Sequence, residues 1–276
     1  MAALGGSFFN SLDRYELKYI ISTDMIEPLT EYLYAFCELD YHSKHAQNHF
    51  YHVNSLYFDS PNFLFLKNRM YGKNPRFNMR VRSYGEDPKP PFFLEIKAKN
   101  AGTVNKYRAI MQDDEWPNMF TDPSYVLDKS TSDFDNKELF HRTLIKYNVE
   151  PKIFTHYRRR AFVSTIDEYT RVTMDINLQC YLESNYDINP DKGRLTNYDN
   201  EMIFSPLSED PTSNVILEIK CLPHQVPIWI VDMIRNFQLT RSSFSKYLQS
   251  MLMSTQHDPF FKQHYDLNNR ALNINI

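Results

Sequence analysis

Polar and apolar residues alternate along eight stretches of the chain, and this alternation predicts β-strands. The stretches are residues 13–21, 51–59, 76–84, 91–99, 103–111, 152–164, 170–182 and 214–221. Because side chains at positions i, i+2 and i+4 of a strand point to one face, each predicted strand has an apolar and a polar face. Apolar residues at helical spacing predict helices over residues 22–37, 134–147, 224–238 and 243–253. Residues 183–213, rich in Asn, Asp, Pro and Ser, are predicted as a long loop.

The polar faces of the predicted strands carry an excess of cations. Alternating charge on one strand is typical of a solvated sheet face, but the same bias on seven strands predicts a binding surface for an anion. If the sheet curls into a barrel, these faces line one tunnel, and phosphate chains suit the forked guanidinium group of Arg. The ten cations are Arg14, Lys18, Arg80, Arg82, Lys97, Lys106, Arg108, Arg159, Arg171 and Lys220, and the four carboxylates are Glu16, Glu95, Asp175 and Glu218.

Composition excludes several classes of protein. The net charge of the 276 residues is −3, so the chain as a whole does not match a nucleic acid. The six glycines form neither a P-loop nor a dinucleotide-binding fingerprint. The three cysteines form no C-x-x-C pair, which predicts reduced thiols and a cytoplasmic protein. We expect neither a signal peptide nor a membrane span, because no stretch of the chain approaches 18 consecutive apolar residues.

Nine short motifs follow one another along the chain. They are Arg14-x-Glu16-x-Lys18-Tyr19, Ser55-Leu56-Tyr57-Phe58-Asp59, Arg80-x-Arg82-x-Tyr84, Leu94-Glu95-x-Lys97, Lys106-x-Arg108, Tyr157-x-Arg159-x-Ala161-Phe162, Arg171-x-Thr173-x-Asp175, Leu217-Glu218-x-Lys220 and Phe244-Ser245-Lys246-Tyr247. In this order they resemble the catalytic domain of the vacuolar transporter chaperone (VTC) family, which belongs to the triphosphate tunnel metalloenzymes. Each motif is weakly specific alone, and the ordered set of nine is strongly specific.

This resemblance implies an α+β fold in which about eight antiparallel strands form a closed β-barrel tunnel braced by flanking helices. It implies a domain over residues 13–255, with an N-terminal extension at 1–12 and a C-terminal tail at 256–276. The implied activity is transfer of the terminal phosphate of ATP to a growing inorganic polyphosphate chain, with Mn²⁺ or Mg²⁺. Two alternatives stay open: a tripolyphosphatase or nucleoside triphosphatase on the same barrel, and a non-catalytic polyphosphate-binding module. The implied partners are ATP, inorganic polyphosphate or tripolyphosphate and a membrane-associated protein.

The resemblance also implies roles for individual residues. The catalytic set is Lys18, Arg80, Arg82, Lys97, Arg159, Arg171 and Lys246. The phosphate- or nucleotide-binding set is Arg14, Tyr57, Lys106, Arg108, Tyr157, Lys220 and Ser245. Glu218 is the implied metal ligand, with Glu16 and Glu95 as candidate second ligands. The chain departs from the pattern twice: Arg14 stands where other tunnel enzymes have the first Glu of Glu-x-Glu-x-Lys, and Ser243 stands where polymerase members have a Lys.

Some residues are ascribed structural roles from the sequence. We expect Glu95 to pair with Lys97 and Asp175 to orient Arg171. Ser245 is expected to cap the last helix, to contact phosphate, or to do both. We expect Arg158 and Arg160, on either side of Arg159, to point outward as ordinary surface cations. Four histidines are expected to have a structural or solvent role, because no Cys or spaced carboxylate completes a tetrahedral metal set with them. They are His42, His45, His49 and His52.

Overall fold

The computed structural model describes residues 15–100, 103–112, 116–199, 213–222 and 225–255. Within them, ten strands belong to one sheet. The eight long strands lie within two residues of the predicted stretches at each end. The strands are β1 (Tyr15–Ser22), β2 (Cys37–Leu39), β3 (Tyr51–Asp59), β4 (Arg76–Tyr84), β5 (Phe92–Asn100), β6 (Thr103–Met111), β7 (Glu150–Ser164), β8 (Arg171–Leu182), β9 (Thr196–Asn197) and β10 (Ser213–Cys221).

The sheet is curled but not closed. Its order is β1-β10-β8-β7-β3-β4-β5-β6, with β2 beside β7 and β9 beside β8, and every pairing is antiparallel. Within the described residues no strand pairing joins β1 to β6, so the predicted closed barrel is wrong and the sheet is an open half-barrel. Side chains meet across the opening instead, because Lys97 Nζ on β5 lies 2.5 Å from Glu16 Oε2 on β1. Charged side chains on edge strands are a common obstacle to edge-to-edge pairing.

Seven α-helices and two short 3-10 turns accompany the sheet within the described residues. The helices are α1 (Ile26–Tyr34), α2 (Tyr41–His45), α3 (Leu64–Met70), α4 (Asn118–Thr121), α5 (Phe134–Tyr147), α6 (Ile228–Asn236) and α7 (Lys246–Thr255), and the turns are Thr23–Met25 and Gln47–His49. The predicted helix over 22–37 is shorter than expected because Cys37 already belongs to β2, which pairs with β7. None of the helices in the described part of the chain is long and apolar enough to cross a membrane.

Helices cover two areas of the convex face. On one wing, α1 and α6 bury Leu33 and Trp229 against the apolar residues of β1, β10 and β8. On the other wing, α5 and α4 bury Phe140 and Met119 against β3 to β6. Full burial of each large apolar side chain stabilises the fold by about 1.5–3 kcal/mol. The alternation seen in the sequence therefore reflects these two cores on one face of the sheet and polar residues on the other.

The last helix occupies one end of the concave face. Tyr247, Leu248 and Met251 of α7 pack with Ile153 and Tyr157, whose side chains lie on the same side of β7 as Arg159. The concave face is therefore apolar at the end that α7 fills and charged beyond it.

Candidate active site

The strand register aligns charged residues of neighbouring strands on the concave face. Glu95 on β5 lies opposite Arg80 on β4 and Arg108 on β6. Glu218 on β10 lies opposite Lys18 on β1. Residues directly opposite each other in antiparallel strands project to the same side of the sheet. The common side is the concave one, since Lys97 and Glu16 on this side meet across the opening.

Nine cations share four carboxylates on this face, counted over the described residues. Each cation lies within 4.0 Å of a carboxylate oxygen. The cations are Lys18, Arg80, Arg82, Lys97, Lys106, Arg108, Arg159, Lys220 and Lys246, and the carboxylates are Glu16, Glu95, Asp175 and Glu218. The surface is therefore strongly positive although the chain is slightly acidic.

Glu95 is the centre of the largest group, the Glu95 cluster, which also contains Arg80, Arg82, Lys106 and Arg108. Glu95 Oε2 accepts hydrogen bonds from Arg80 Nε (2.8 Å) and Nη2 (2.7 Å), and Oε1 accepts from Arg108 Nε (2.8 Å). Lys106 Nζ lies 2.6 Å from Oε1, and Arg82 Nη1 lies 3.9 Å from Oε2. The carboxylate is 1% exposed, and both oxygens are occupied by cations.

The charge state of Glu95 follows from this environment. Burial raises its pKa, but the attraction of Arg82, Arg80, Lys106 and Arg108 outweighs burial and holds the pKa well below its ordinary value. Glu95 therefore remains ionised and fixes the arginines in place. Its expected pairing with Lys97 is wrong, because the cross-strand neighbours Arg80 and Arg108 take both oxygens and Lys97 binds Glu16.

Two tyrosines support the cations. Tyr57 Oη accepts a hydrogen bond from Arg80 Nη1 (2.8 Å), and Arg82 Nη2 donates to Tyr157 Oη (3.4 Å). The ring of Tyr157 lies 4.4 Å from Lys246 Nζ, within cation–π range. Arg82 is 6% exposed, and its Nε has no acceptor among the described residues. A buried guanidinium with an unpaired N–H carries an energetic cost that an anion would relieve.

Asp175 is the centre of a second group, the Asp175 cluster, with Arg159 and Lys246. Arg159 binds it bidentately (Nε–Oδ1 2.6 Å, Nη2–Oδ2 2.8 Å), and Lys246 Nζ lies 2.5 Å from Oδ2. Burial raises the pKa of Asp175, but Arg159 and Lys246 bring it down to about 2. The expected pairing of Asp175 with Arg171 is wrong, because residues four apart on a strand are about 13 Å apart. Arg159 is instead directly opposite Asp175.

A buried hydrogen bond fixes the first turn of α7, from which Lys246 projects. Tyr247 Oη donates to Asp59 Oδ2 (2.7 Å), and Asp59 also accepts from the backbone N–H groups of Phe65 and Leu66 in α3 (both 2.8 Å). Asp59 and Tyr247 occur in two of the sequence motifs, but their roles were missed, because nothing in their spacing shows that β3 and α7 meet.

The remaining group, the Glu218 cluster, contains Glu218, Glu16, Lys18, Lys220 and Lys97. Lys18 Nζ is 3.1 Å from Glu218 Oε2, and Lys220 Nζ is 2.8 Å from Oε1. Burial raises the pKa of Glu218, but Lys220, Lys18 and Lys97 together bring it well below its ordinary value. Burial and the charge of Glu218 raise the pKa of Glu16, whereas Lys97 lowers it. The resulting pKa of Glu16 is below its ordinary value. Two carboxylates thus influence each other here, and among the described residues their ion-pair partners are lysines.

This pair of carboxylates is compatible with a divalent metal ion. Within the described residues no group of three or more His, Cys, Asp or Glu side chains is arranged to hold a metal. Mg²⁺ and similar ions are often bound by one or two carboxylates together with substrate phosphates and water, so a complete protein cage is not required. Glu218 and Glu16 supply such a donor set. At Glu95 a metal would have to displace an arginine or Lys106.

Three residues of the predicted site lie elsewhere or have another contact. Arg171 is on the concave side of β8, but it is exposed and, among the described residues, pairs with no carboxylate. Arg14 lies outside the described residues. Ser245 Oγ accepts from Leu248 N (3.4 Å), as expected of a helix cap.

The expectation that Arg160 is a surface cation is wrong. It is 6% exposed and donates from Nη1 to Glu27 (3.0 Å) and Thr30 (2.9 Å) and from Nη2 to the Asn48 carbonyl (3.1 Å). Arg160 lies on the convex face, where α1 and the Gln47–His49 turn cover it. The alternation along β7 shows which face Arg160 occupies, but it does not show that the face is covered there.

Known proteins resemble the chain over most of its length. A model of the VTC domain matches residues 13–255. Vacuolar transporter chaperone complex subunit 4 of Trypanosoma cruzi is 24% identical over 238 residues, and that of Trypanosoma brucei brucei is 23% identical over 238 residues. Each alignment covers 76% of this chain but only 29% of the relative. A solved structure of a Hippeastrum protein with a dominant triphosphatase activity is 13% identical with a TM-score of 0.48, covering 86% of this chain and 93% of that one.

The family match includes every strand that contributes to the three clusters. The match to the VTC domain covers most of the chain and so shows its family. The chain belongs to the VTC domain family.

Proposed function

We propose that this chain binds ATP and inorganic polyphosphate on the concave face and transfers the terminal phosphate of ATP to the chain end, in a reaction that depends on a divalent metal ion. Membership of the VTC domain family and the three cation clusters support this proposal. The chain spans 29% of the length of its curated relatives, which are subunits of a complex. Association with other subunits, a membrane-associated one included, and a cytoplasmic location are part of the proposal.

One observation carries the proposal: nine cations share four carboxylates on one concave surface. A monoanion would balance only part of this excess, whereas a chain of phosphates offers a negative charge at each unit. Arginine forks such as those of Arg80 and Arg159 match phosphate oxygens bidentately. The arginines are already ordered by Glu95 and Asp175, so less conformational entropy is lost when phosphate binds.

Phosphoryl transfer requires positioning and charge neutralisation more than covalent chemistry by the protein. Lys246, Arg159 and Arg82 would hold phosphates in line, which converts an encounter between two anions into an oriented reaction. A divalent ion held by Glu218 and Glu16 would supply charge stabilisation at phosphate oxygens when bound. No protein general base is needed, because the attacking phosphate oxygen is already ionised.

A second candidate function is hydrolysis of tripolyphosphate or a nucleoside triphosphate on the same surface. Ser243 favours this alternative, because it stands where polymerase members have a lysine. It is exposed just before α7, and the neighbouring Arg241 is exposed as well. With one phosphate contact fewer, the acceptor chain would be held less firmly and water could take its place. A non-catalytic polyphosphate-binding module is the third alternative.

Incubation of the purified protein with ATP and Mn²⁺ separates these functions. We expect long phosphate chains, resolved by gel electrophoresis and sensitive to an exopolyphosphatase. Free phosphate without chains would favour the hydrolase, and neither product, with retained tripolyphosphate binding, would favour the binding module. Arg159→Met should abolish product formation, while Arg158→Met, on the opposite face of the same strand, should leave it unchanged.

A further inference from the structure

A polar strip separates the two helix-covered cores on the convex face. It lies on β3 and β7, where His52 and His156 project to the side opposite Tyr51 and Tyr157. The two rings face each other, with His52 Nδ1 3.1 Å from His156 Nε2. They line an open pocket of about 290 Å³ together with Glu86, Gln179, Lys192 and Leu195. No part of the mechanism proposed above uses this pocket.

Hydrogen bonds determine which nitrogen of His156 carries the proton. Asn54 Nδ2 donates to the Gly85 carbonyl (2.9 Å), so Asn54 Oδ1 is the acceptor that faces His156 Nδ1 at 2.7 Å. Nδ1 of His156 is therefore protonated, and its Nε2 directs a lone pair toward His52 and the pocket. An imidazole whose second ring nitrogen donates to a carbonyl oxygen has the arrangement usual for a metal ligand.

We propose that His52 and His156 form a binding site for a borderline transition-metal ion such as Zn²⁺, with Glu86 as the third protein ligand and water completing the coordination. Two nitrogens bound to one tetrahedral Zn²⁺ at about 2.0–2.1 Å are about 3.3 Å apart. The observed separation of 3.1 Å between His52 Nδ1 and His156 Nε2 is close to that value. When the metal binds, His52 changes tautomer: Nδ1 releases its proton to solvent while Nε2 takes one up, so both rings stay neutral and each offers one lone pair to the metal.

Glu86 supplies the charge that two neutral imidazoles lack. It lies in the same pocket, and its carboxylate acts on both rings: burial lowers the pKa of His52 and His156, and Glu86 raises each. Glu86 is now paired with Lys192 (2.6 Å), and both side chains are exposed. No three such ligands are already assembled in the described part of the chain, so Glu86 must exchange Lys192 for the metal. An exposed ion pair contributes little to stability, so this exchange requires little free energy.

This site differs chemically from the Glu218 cluster. Imidazole nitrogen favours Zn²⁺, Cu²⁺ and Ni²⁺, whereas the carboxylates of Glu218 and Glu16 favour Mg²⁺ and Mn²⁺. The two sites lie on opposite faces of the sheet. The inference therefore does not depend on the proposed polymerase activity, and it can be tested without any nucleotide.

The test is titration of the whole chain with Zn²⁺ by calorimetry, with excess Mg²⁺ present to fill carboxylate sites. We expect one Zn²⁺ per chain, and we expect His52→Ala to weaken its binding at least about 10- to 100-fold, the range seen when the support of a metal ligand is lost. His45→Ala is the matched control, because His45 is exposed on α2 and its hydrogen bond among the described residues is to the Tyr41 carbonyl of its own helix. It should bind Zn²⁺ like the wild type.

Imidazole ¹H–¹⁵N spectra provide the second readout. Zn²⁺ should shift the ring nitrogens of His52 and His156 and leave those of His45 and His141 in place. The loss of Zn²⁺-induced shifts in His156→Ala supports the site only if the circular dichroism spectrum of this variant is native. If that spectrum is not native, His52→Ala provides the test, because the ring of His52 is only half-buried. Absence of stoichiometric Zn²⁺ binding, or equal binding by wild type and His52→Ala, would overturn the site. Unchanged affinity in Glu86→Gln would overturn the third ligand.

Discussion

The Glu95 cluster and the Glu218 cluster lie on the same concave face, but they hold their carboxylates in different ways. Glu95 accepts from the forked side chains of Arg80 and Arg108 and is 1% exposed. Glu218 is held by Lys18 and Lys220, which are compact point charges on flexible stems. Glu218 also has a second carboxylate, Glu16, beside it.

The difference suggests a division of work between the clusters. A carboxylate fixed by arginine forks orders those arginines for a ligand, and to remove it would leave several buried cations unbalanced. A carboxylate held by lysines can exchange an ammonium group for a metal ion with little rearrangement. We therefore regard Glu95 as a structural counter-ion for the arginines that we propose bind phosphate, and Glu218 as the carboxylate available for chemistry.

The largest effect that separates the two clusters is on stability. Glu95→Gln should lower the free energy of unfolding by about 3–5 kcal/mol, the usual cost when one partner of a buried ion pair is removed. Glu218→Gln should cost clearly less, because its lysines can turn toward solvent. Urea denaturation of both variants measures this. Equal losses would mean that the two carboxylates have the same role.

Turnover should show the opposite order of sensitivity. We expect Glu218→Gln to reduce the metal-dependent rate about 10²- to 10³-fold, as loss of one charged transition-state contact commonly does. Binding of tripolyphosphate should be largely retained, since the nine cations remain. Rates of product formation over a Mn²⁺ titration, with Glu16→Gln in parallel, give the measurement. An unchanged rate in Glu218→Gln would exclude it as the metal ligand.

Acid should weaken the fold through Glu95 more than through Glu16. Both carboxyl groups have pKa values below the ordinary 4.5, and the pKa of Glu95 is lowered further. A lowered pKa in the folded state contributes stability above pH 4.5, and this contribution is lost as the pH falls through the folded-state value. Melting temperatures between neutral pH and pH 3 should therefore decline less in Glu95→Gln than in Glu16→Gln. The reverse order would contradict the assignment.

A smaller effect concerns Lys97 of the Glu218 cluster. Burial lowers its pKa to about 8 despite Glu16. A bound polyanion favours the charged form and raises this pKa, so binding should take up protons. The uptake should be small near pH 7, where Lys97 is already mostly charged, and larger at pH 9. Calorimetry in two buffers of different ionisation enthalpy, with Lys97→Met in parallel, tests this, and no buffer dependence at pH 9 would refute it.

The sequence predicts the strands and the charged face well, because both depend on a local period of two. Arg80, Arg82 and Glu95 reveal their face without knowledge of any other strand. Their partners cannot be predicted in this way, because a pair such as Lys97 with Glu16 or Asp175 with Lys246 depends on which elements adjoin in space. The opening between β1 and β6 could not be predicted for the same reason, since closure of a barrel is a property of the whole sheet and not of one strand.

The local pattern also does not predict which residues another element of the fold covers, or what role those residues then have. Arg160 alternates like a solvated residue, but α1 covers it and provides Glu27 and Thr30 as partners. His52 lies among three other histidines in the sequence, but its hydrogen-bonding neighbour is His156, 104 residues later. In both cases the partner comes from another element that the fold brings close.

The central claim is that the concave face binds a phosphate chain, and thermal unfolding with tripolyphosphate tests it most directly. At a hundredfold excess over its dissociation constant, a ligand of the folded state adds about 2.7 kcal/mol, which corresponds to an increase in melting temperature of several degrees at about 2–4 °C per kcal/mol. We predict this increase for the wild type and for Arg158→Met on the convex face, and a much smaller one for Arg82→Met, at matched ionic strength. A melting temperature of the wild type that is unaffected by tripolyphosphate, with and without Mn²⁺, would contradict the claim.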